Sequence, residues 1–254
     1  MIRIKLLKYF SSTINQADRQ NFNKIQDWWS VGGSMAPLYS YNHLRVQFIH
    51  EILNRPQKGK SLAGLHSLDV GVGGGILSES LRRLGSKVTG IDVSENSIET
   101  AIKHKNTDPE LRNDSDLDYQ LISIEELSKN QEKQYDIITA MEVIEHVENL
   151  PLFIESLGKL LKPDGKLFIS SINKSYESYL KLIIGAEYIA RVVPQGTHDW
   201  NNFKTPEQVW LQLNKQKLNI DVLRGVEYNL LNGEMKYSNN ETQYMMACSK
   251  QKKE

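Results

Sequence analysis

Cysteine is nearly missing from this 254-residue chain, where Cys248 stands alone. One thiol builds neither an internal disulfide framework nor a cysteine zinc site, so it reads as a buried structural residue in a reducing interior. Net charge is missing too, with 31 basic residues against 31 acidic ones. No overall field gathers nucleic acid or an acidic surface, which argues against a general DNA or RNA binder and leaves recognition to local patches. Long apolar runs are also lacking, and none approaches the roughly 18 residues of a spanning helix. There is no internal repeat. What is present is 39% hydrophobic residues in a length that favours one core with decorations.

The amino terminus stands apart. MIRIKLLKYFSSTINQA carries Arg3, Lys5 and Lys8, and no acid before Asp18, while Ile2, Leu6, Tyr9 and Phe10 share a rough helical face. A basic, serine-containing, acid-free and loosely amphipathic start has the composition of a mitochondrial transit peptide. Residues 1–17 are therefore expected to be a presequence and residues 18–250 one folded domain. The alternative is the ordinary basic start of a cytoplasmic protein.

From His66 onward, short β-rich runs alternate with helical ones, the pattern of a parallel sheet with crossover helices. HSLDV, KVTGID, DYQLI, YDIITA and GKLFISS read as five strands. GGILSESLRRLG and SENSIETAIKHK read as helices between them, the second capped by Ser94. NTDPELRNDSD is expected to be a disordered loop, and KPDG a tight turn before the fifth strand. TPEQ has the form of a helix start with Pro at the first position and Gln at the third. NIDVLRGVEYNL and TQYMMACS add two strands, for a doubly wound, mostly parallel seven-strand α/β sheet. Residues 18–54 are expected to form amino-terminal helices, and about 173–204 a helical insertion after the fifth strand.

LDVGVGGGILSE places Gly71, Gly73, Gly74 and Gly75 between a strand and its helix. Glycines permit tight turns and close approach of a ligand, and the free N–H groups of a helix start favour negative charge. Asp92 ends the next strand, where an acid can bond ribose hydroxyls. Together these imply an adenosine-type ligand. The dinucleotide spacing fails, because the third glycine position holds Ile76.

In MEVIEHV, offsets of three and four would bring Glu142, Glu145 and His146 to one face of a helix, with Val143 and Val147 turned to the core. A solvated helix face is the plain reading. The alternative follows from position, since the carboxyl ends of strands in such sheets are where ligands bind.

LDVGVGGG, VTGID and MEVIEHV, with WWSVGGSMAPLYSYNHLR and GAEYIARVVPQGTHDW, resemble the ubiquinone-biosynthesis O-methyltransferases, a family of S-adenosylmethionine-dependent enzymes with a seven-strand doubly wound sheet. The resemblance runs from Trp28 to Ala247, with Val72 in place of the family's cysteine and His43 in place of its proline. It implies that Arg45, Gly71, Asp92 and Met141 contact the methyl donor. Arg45 would take the methionine carboxylate, and Met141 would offer an apolar surface near the adenine or sulfonium. It further implies that Glu142, Glu145 and His146 hold a divalent metal, magnesium in the first instance, with His146 alternatively a general base. The implied substrate is a polyprenylated dihydroxybenzoate, catechol or hydroquinone. The implied setting is a peripheral position on the matrix side of the mitochondrial inner membrane, within a multi-protein ubiquinone-biosynthesis complex.

SYESYLKLIIGAEYIARVVP carries an apolar stripe from Tyr179 through Ile183 to Val193, which packs on the domain or lies in a lipid interface. His198 and Asp199 in GTHDWNNF are a candidate substrate gate. Two other classes stay in view: an NAD-dependent dehydrogenase, weakened by Ile76, and a binding subunit without catalytic activity.

Overall fold

The computed structural model describes residues 12–25, 27–30, 33, 35–55, 58–130, 132, 134–175, 200–229, 234–239 and 242–251. The basic stretch up to Ser11, the stripe from Tyr179 to Val193, and the pair His198 and Asp199 lie outside these residues.

The strands are β1 (His66–Val70), β2 (Lys87–Asp92), β3 (Leu117–Leu121), β4 (Tyr135–Met141), β5 (Leu161–Ile172), β6 (Leu218–Asn229), β7 (Glu234–Ser238) and β8 (Gln243–Lys250). They form one sheet in the order β3-β2-β1-β4-β5-β8-β6-β7. The pairs from β3 to β5 are parallel, and those involving β8 or joining β6 to β7 are antiparallel. β4 has the near-continuous apolar run of a strand covered on both faces. Its Ile137 and Met141 belong to one core, and Ile138 and Ala140 to the other.

Helices α2 (Ala36–Leu53), α3 (Ile76–Arg83) and α4 (Glu95–Thr107) cover the first face, where Tyr41, Phe48, Leu77, Leu81 and Ile98 are buried. Helices α5 (Ile124–Asn130), α6 (Leu150–Leu160) and α7 (Pro206–Lys215) cover the second with Ile124, Phe153, Leu157 and Leu213. The short α1 (Gln16–Phe22) precedes them, capped by the Asn15 side chain. Ser94 caps α4 as its position predicts, and Thr205 and Gln208 close a reciprocal capping box on α7.

Three expectations change. The sheet has eight strands rather than seven, because EMKYS forms β7, which among the described residues pairs only with Gly225–Asn229 of β6. An edge strand needs only one apolar face, so its exposed Glu234 and Lys236 masked it in the sequence. The KPDG segment lies within β5 as an irregularity, since pairing passes from Tyr135↔Leu161 to Ile137↔Lys166. The polar loop after α4 is not disordered. Leu111 is buried, Arg82 Nε meets Asp114 at 2.6 Å, and Arg83 pairs with Asp108.

At the base of the insertion, the Trp200 indole N–H donates to the Ser175 carbonyl at 3.2 Å. The two ends of the intervening segment are thereby joined.

Candidate active site

The strand order reverses between β1 and β4, and the carboxyl ends beside that point open a cavity of about 640 Å³. Arg45, Gly71, Asp92, Met141, Glu142, Glu145 and His146 all line it. The structure therefore brings the two halves of the expected site together on one rim.

On the β1–β2 side, Gly71 has φ 71°, and a Cβ there would stand 2.6 Å from Val143 Cγ2. The Asp92 carboxylate accepts from the Gly73 N–H at 2.9 Å and the Ser94 N–H at 2.8 Å. Burial raises its pKa, and these backbone donors hold it down in part. Val93, Ile122 and Ile124 supply apolar wall beside it. Arg45 reaches in from α2, buried, with its guanidinium 4.4 Å above the Tyr41 ring. Its Nε and Nη2 have no hydrogen-bond partner among the described residues. A buried cation with unmet donors is built for an anion. Met141 ends β4, buried in the cavity wall.

The acidic turn departs from the expected helix. Glu142 sits at φ 58°, and only Ile144–His146 form a single 3-10 turn. Left-handed backbone at a non-glycine residue costs about 1–3 kcal/mol and persists where its surroundings enforce it. Here the Glu142 N–H donates to the Ser170 carbonyl at 3.1 Å, and the Ser170 hydroxyl donates to Glu142 Oε1 at 2.7 Å. Val143 is turned toward Gly71 rather than away from the site.

Glu145 accepts from the Ser171 hydroxyl at 3.0 Å. Burial, and then the charge of Glu142, push its pKa up to about 7 against the opposing pull of His146. Burial weakens the basicity of His146, but the Asp18 hydrogen bond and the charges of Glu145 and Glu142 outweigh it, so the net direction is upward. The His146 Nδ1–Asp18 Oδ2 distance is 3.0 Å, and the Phe22 ring stands edge-on at 5.0 Å between centroids. Among the described residues no group of three or more His, Cys, Asp or Glu is gathered as a metal ligand set. The trio's side chains are turned to Ser170, Ser171 and Asp18. The donor chemistry still suits a hard divalent cation, because two carboxylates that feel each other's charge share one cavity.

The amino-terminal segment forms the remaining wall. The Thr13 N–H and hydroxyl donate to the buried Glu125 carboxylate at 3.0 and 2.8 Å, and Ile14 bridges to Val147. Trp28 packs so tightly on the glycine loop that a Cβ on Gly73 would lie 2.6 Å from its Cη2. The Trp29 indole N–H donates to the Gly74 carbonyl at 2.7 Å. Sequence reasoning missed Asp18, Trp28 and Tyr41 as site residues. The paired tryptophans were a usable signal; Asp18 carried none beyond being the first acid after a basic stretch.

A family described as "Methyltransferase domain" matches residues 41–219. The mitochondrial ubiquinone biosynthesis O-methyltransferase of Bos taurus is 42% identical over 90% of this chain, which spans 63% of that protein's length. The ubiquinone biosynthesis O-methyltransferase of Pelagibacter ubique (strain HTCC1062) is 37% identical over 90% of this chain and 94% of its own. Among solved structures, magnesium protoporphyrin IX methyltransferase from Synechocystis PCC 6803 with bound SAH shares the fold. Its TM-score is 0.60 at 18% identity over 96% of this chain and 97% of its own. The PH0226 protein of Pyrococcus horikoshii OT3 gives a TM-score of 0.63 at 15% identity over 91% and 99%.

Proposed function

The chain belongs to the ubiquinone biosynthesis O-methyltransferase family, and from that premise we propose that it transfers a methyl group from S-adenosylmethionine to a ring hydroxyl of a polyprenylated dihydroxybenzoate, catechol or demethylubiquinol. The observation that carries the reading is the single cavity in which Arg45, Gly71, Asp92 and Met141 face Glu142, Glu145 and His146.

Donor binding uses charge and close approach. Arg45 takes the methionine carboxylate with its free N–H groups, Gly71 lets the main chain come near, and Asp92 takes the ribose. Met141 gives an apolar contact beside the sulfonium. A phenol with a pKa near 10, judged by tyrosine, is a weak nucleophile at neutral pH. His146 takes its proton in this reading, which is supported by Asp18 engaging Nδ1 and so leaving Nε2 as the base. The phenolate oxygen then attacks the methyl carbon, the carbon–sulfur bond breaks in line, and a neutral thioether leaves. Holding the two reactants in one cavity supplies much of the rate.

In the alternative arrangement Glu142, Glu145 and His146 would hold magnesium, which would stabilise the phenolate charge in place of proton removal by His146. The reading extends to the matrix side of the mitochondrial inner membrane, with a transit peptide at the amino terminus, peripheral membrane contact and membership of a biosynthetic complex. It is supported by mitochondrial relatives and the basic amino terminus; no described helix is long and apolar enough to cross a membrane.

The test is methyl transfer from labelled S-adenosylmethionine to a short-chain prenylated catechol, with and without chelator and added magnesium. Product is expected in the first arm and less of it under chelation. Tight binding of S-adenosylhomocysteine with no methylation of any phenol overturns the reading; product unchanged by chelator removes the metal alone.

A further inference from the structure

Besides Arg45, four cavity-lining side chains keep a buried polar atom without a partner among the described residues: Arg19 and Trp28 in the amino-terminal segment, and Tyr41 and Gln243 over the β5-β8-β6-β7 end of the sheet. The Tyr41 hydroxyl on α2 is buried near the Ser170 side chain, whose own hydroxyl donates to Glu142, and no described residue meets the Tyr41 hydroxyl with full hydrogen-bond geometry. The amide oxygen of Gln243, at the start of β8, is likewise buried without a partner. Both residues line the cavity. Orphaned buried donors and acceptors are uncommon in folded proteins, so each calls for an explanation.

Sheet register shows that they share one lobe. Gln243 lies opposite Ile172 of β5 and Val226 of β6, and Tyr228 lies opposite Met235 of β7. Opposed residues and alternate residues point to the same face. Ser170, Ile172, Gln243, Val226, Tyr228 and Met235 therefore face the side covered by α2, where Tyr41 sits. Ile172, Tyr228 and Met235 also line the cavity. The lobe thus lies at the β5-β8-β6-β7 end, across the switch point from Asp92, with apolar walls, one free donor and one free acceptor.

A carboxylate cannot satisfy both groups, since Gln243 Oε1 needs a hydrogen from the ligand and Tyr41 needs an acceptor. An aromatic ring with two oxygens, one protonated, supplies both and suits the walls. We propose that this lobe seats the acceptor ring, with Gln243 Oε1 accepting from the hydroxyl that is not methylated and the Tyr41 hydroxyl donating to a second oxygen of the ring. The assignment rests on the methyltransferase reading and names its acceptor subsite. The additional strand β7 then has a task, because Met235 closes the lobe from the sheet edge.

The experiment measures kcat and KM for a short-chain prenylated catechol and for its analogue lacking the non-methylated hydroxyl. Wild type, Gln243→Leu and Tyr41→Phe are compared, with S-adenosylhomocysteine affinity measured by calorimetry on each. Wild type should prefer the catechol by about tenfold, the worth of one hydrogen bond. Gln243→Leu should lose that preference, and Tyr41→Phe should raise KM about tenfold on both substrates, with S-adenosylhomocysteine affinity unchanged. Tyr41→Phe keeps the ring and decides the matter if Gln243→Leu does not fold. Preference and KM unchanged in both variants, or donor affinity falling in step with KM, overturns the subsite. Failure of wild type to methylate any phenol overturns the underlying reading as well.

Discussion

Asp18 holds the imidazole of His146 from 128 residues away, with 3.0 Å between Oδ2 and Nδ1. A carboxylate at Nδ1 fixes the tautomer that leaves the Nε2 lone pair for chemistry. Asp18→Asn should lower kcat about 10–100-fold, the usual loss when such an orienting partner is removed. S-adenosylhomocysteine affinity should stay within about twofold, the scatter expected at a site the mutation does not touch. An unaltered kcat would show that His146 needs no orientation.

Glu145 makes stability depend on pH. Its folded pKa is raised from 4.5 to about 7, so proton binding favours the fold. That contribution is complete below 4.5 and disappears as pH rises through about 7, where the buried carboxyl must ionise. Glu145→Gln never ionises, so it should melt higher than wild type at alkaline pH, and the gap should narrow in mild acid. A gap of constant size across the two conditions counts against the buried charge.

The Gly73 position couples the glycine loop to Trp28. With φ 53° and a Cβ only 2.6 Å from Trp28, Gly73→Ala should cost about 1–3 kcal/mol in chemical denaturation and weaken S-adenosylhomocysteine binding. Adding Trp28→Ala should restore part of both, because the two changes share one clash. Strict additivity would mean that the tryptophan is not what confines the loop.

The described amino-terminal segment is anchored to the domain. Thr13 donates twice to the buried carboxylate of Glu125, and Asn15 caps α1. A chain lacking residues 1–15 should melt about 5 °C or more below one lacking residues 1–11, because the shorter chain leaves that carboxylate stranded. Equal melting of the two truncations would mean that the Thr13–Glu125 contact contributes little to stability.

Much of the fold was legible because its signals are local. The alternation of apolar strands and capped helices, the glycine loop and Asp92 are each written within a few adjacent residues, and all lie where their pattern put them. The eighth strand was hidden because an edge strand buries only Met235 and part of Tyr237. The acidic turn was placed correctly but given the wrong backbone. Periodicity cannot show that Ser170, on the neighbouring strand, would hold Glu142 at a positive φ. Asp18 and Gln243 were invisible for a related reason. Each matters through a partner or a cavity supplied by distant segments, and nothing in their immediate neighbours records that.

The bond between the Trp200 indole and the Ser175 carbonyl brings both ends of the segment between them to one point. Closing a loop between anchored ends grows only slowly in cost with its length. The length of the chain between these two anchors is therefore only weakly coupled to β5 and α7, and changing that length should move the melting temperature little.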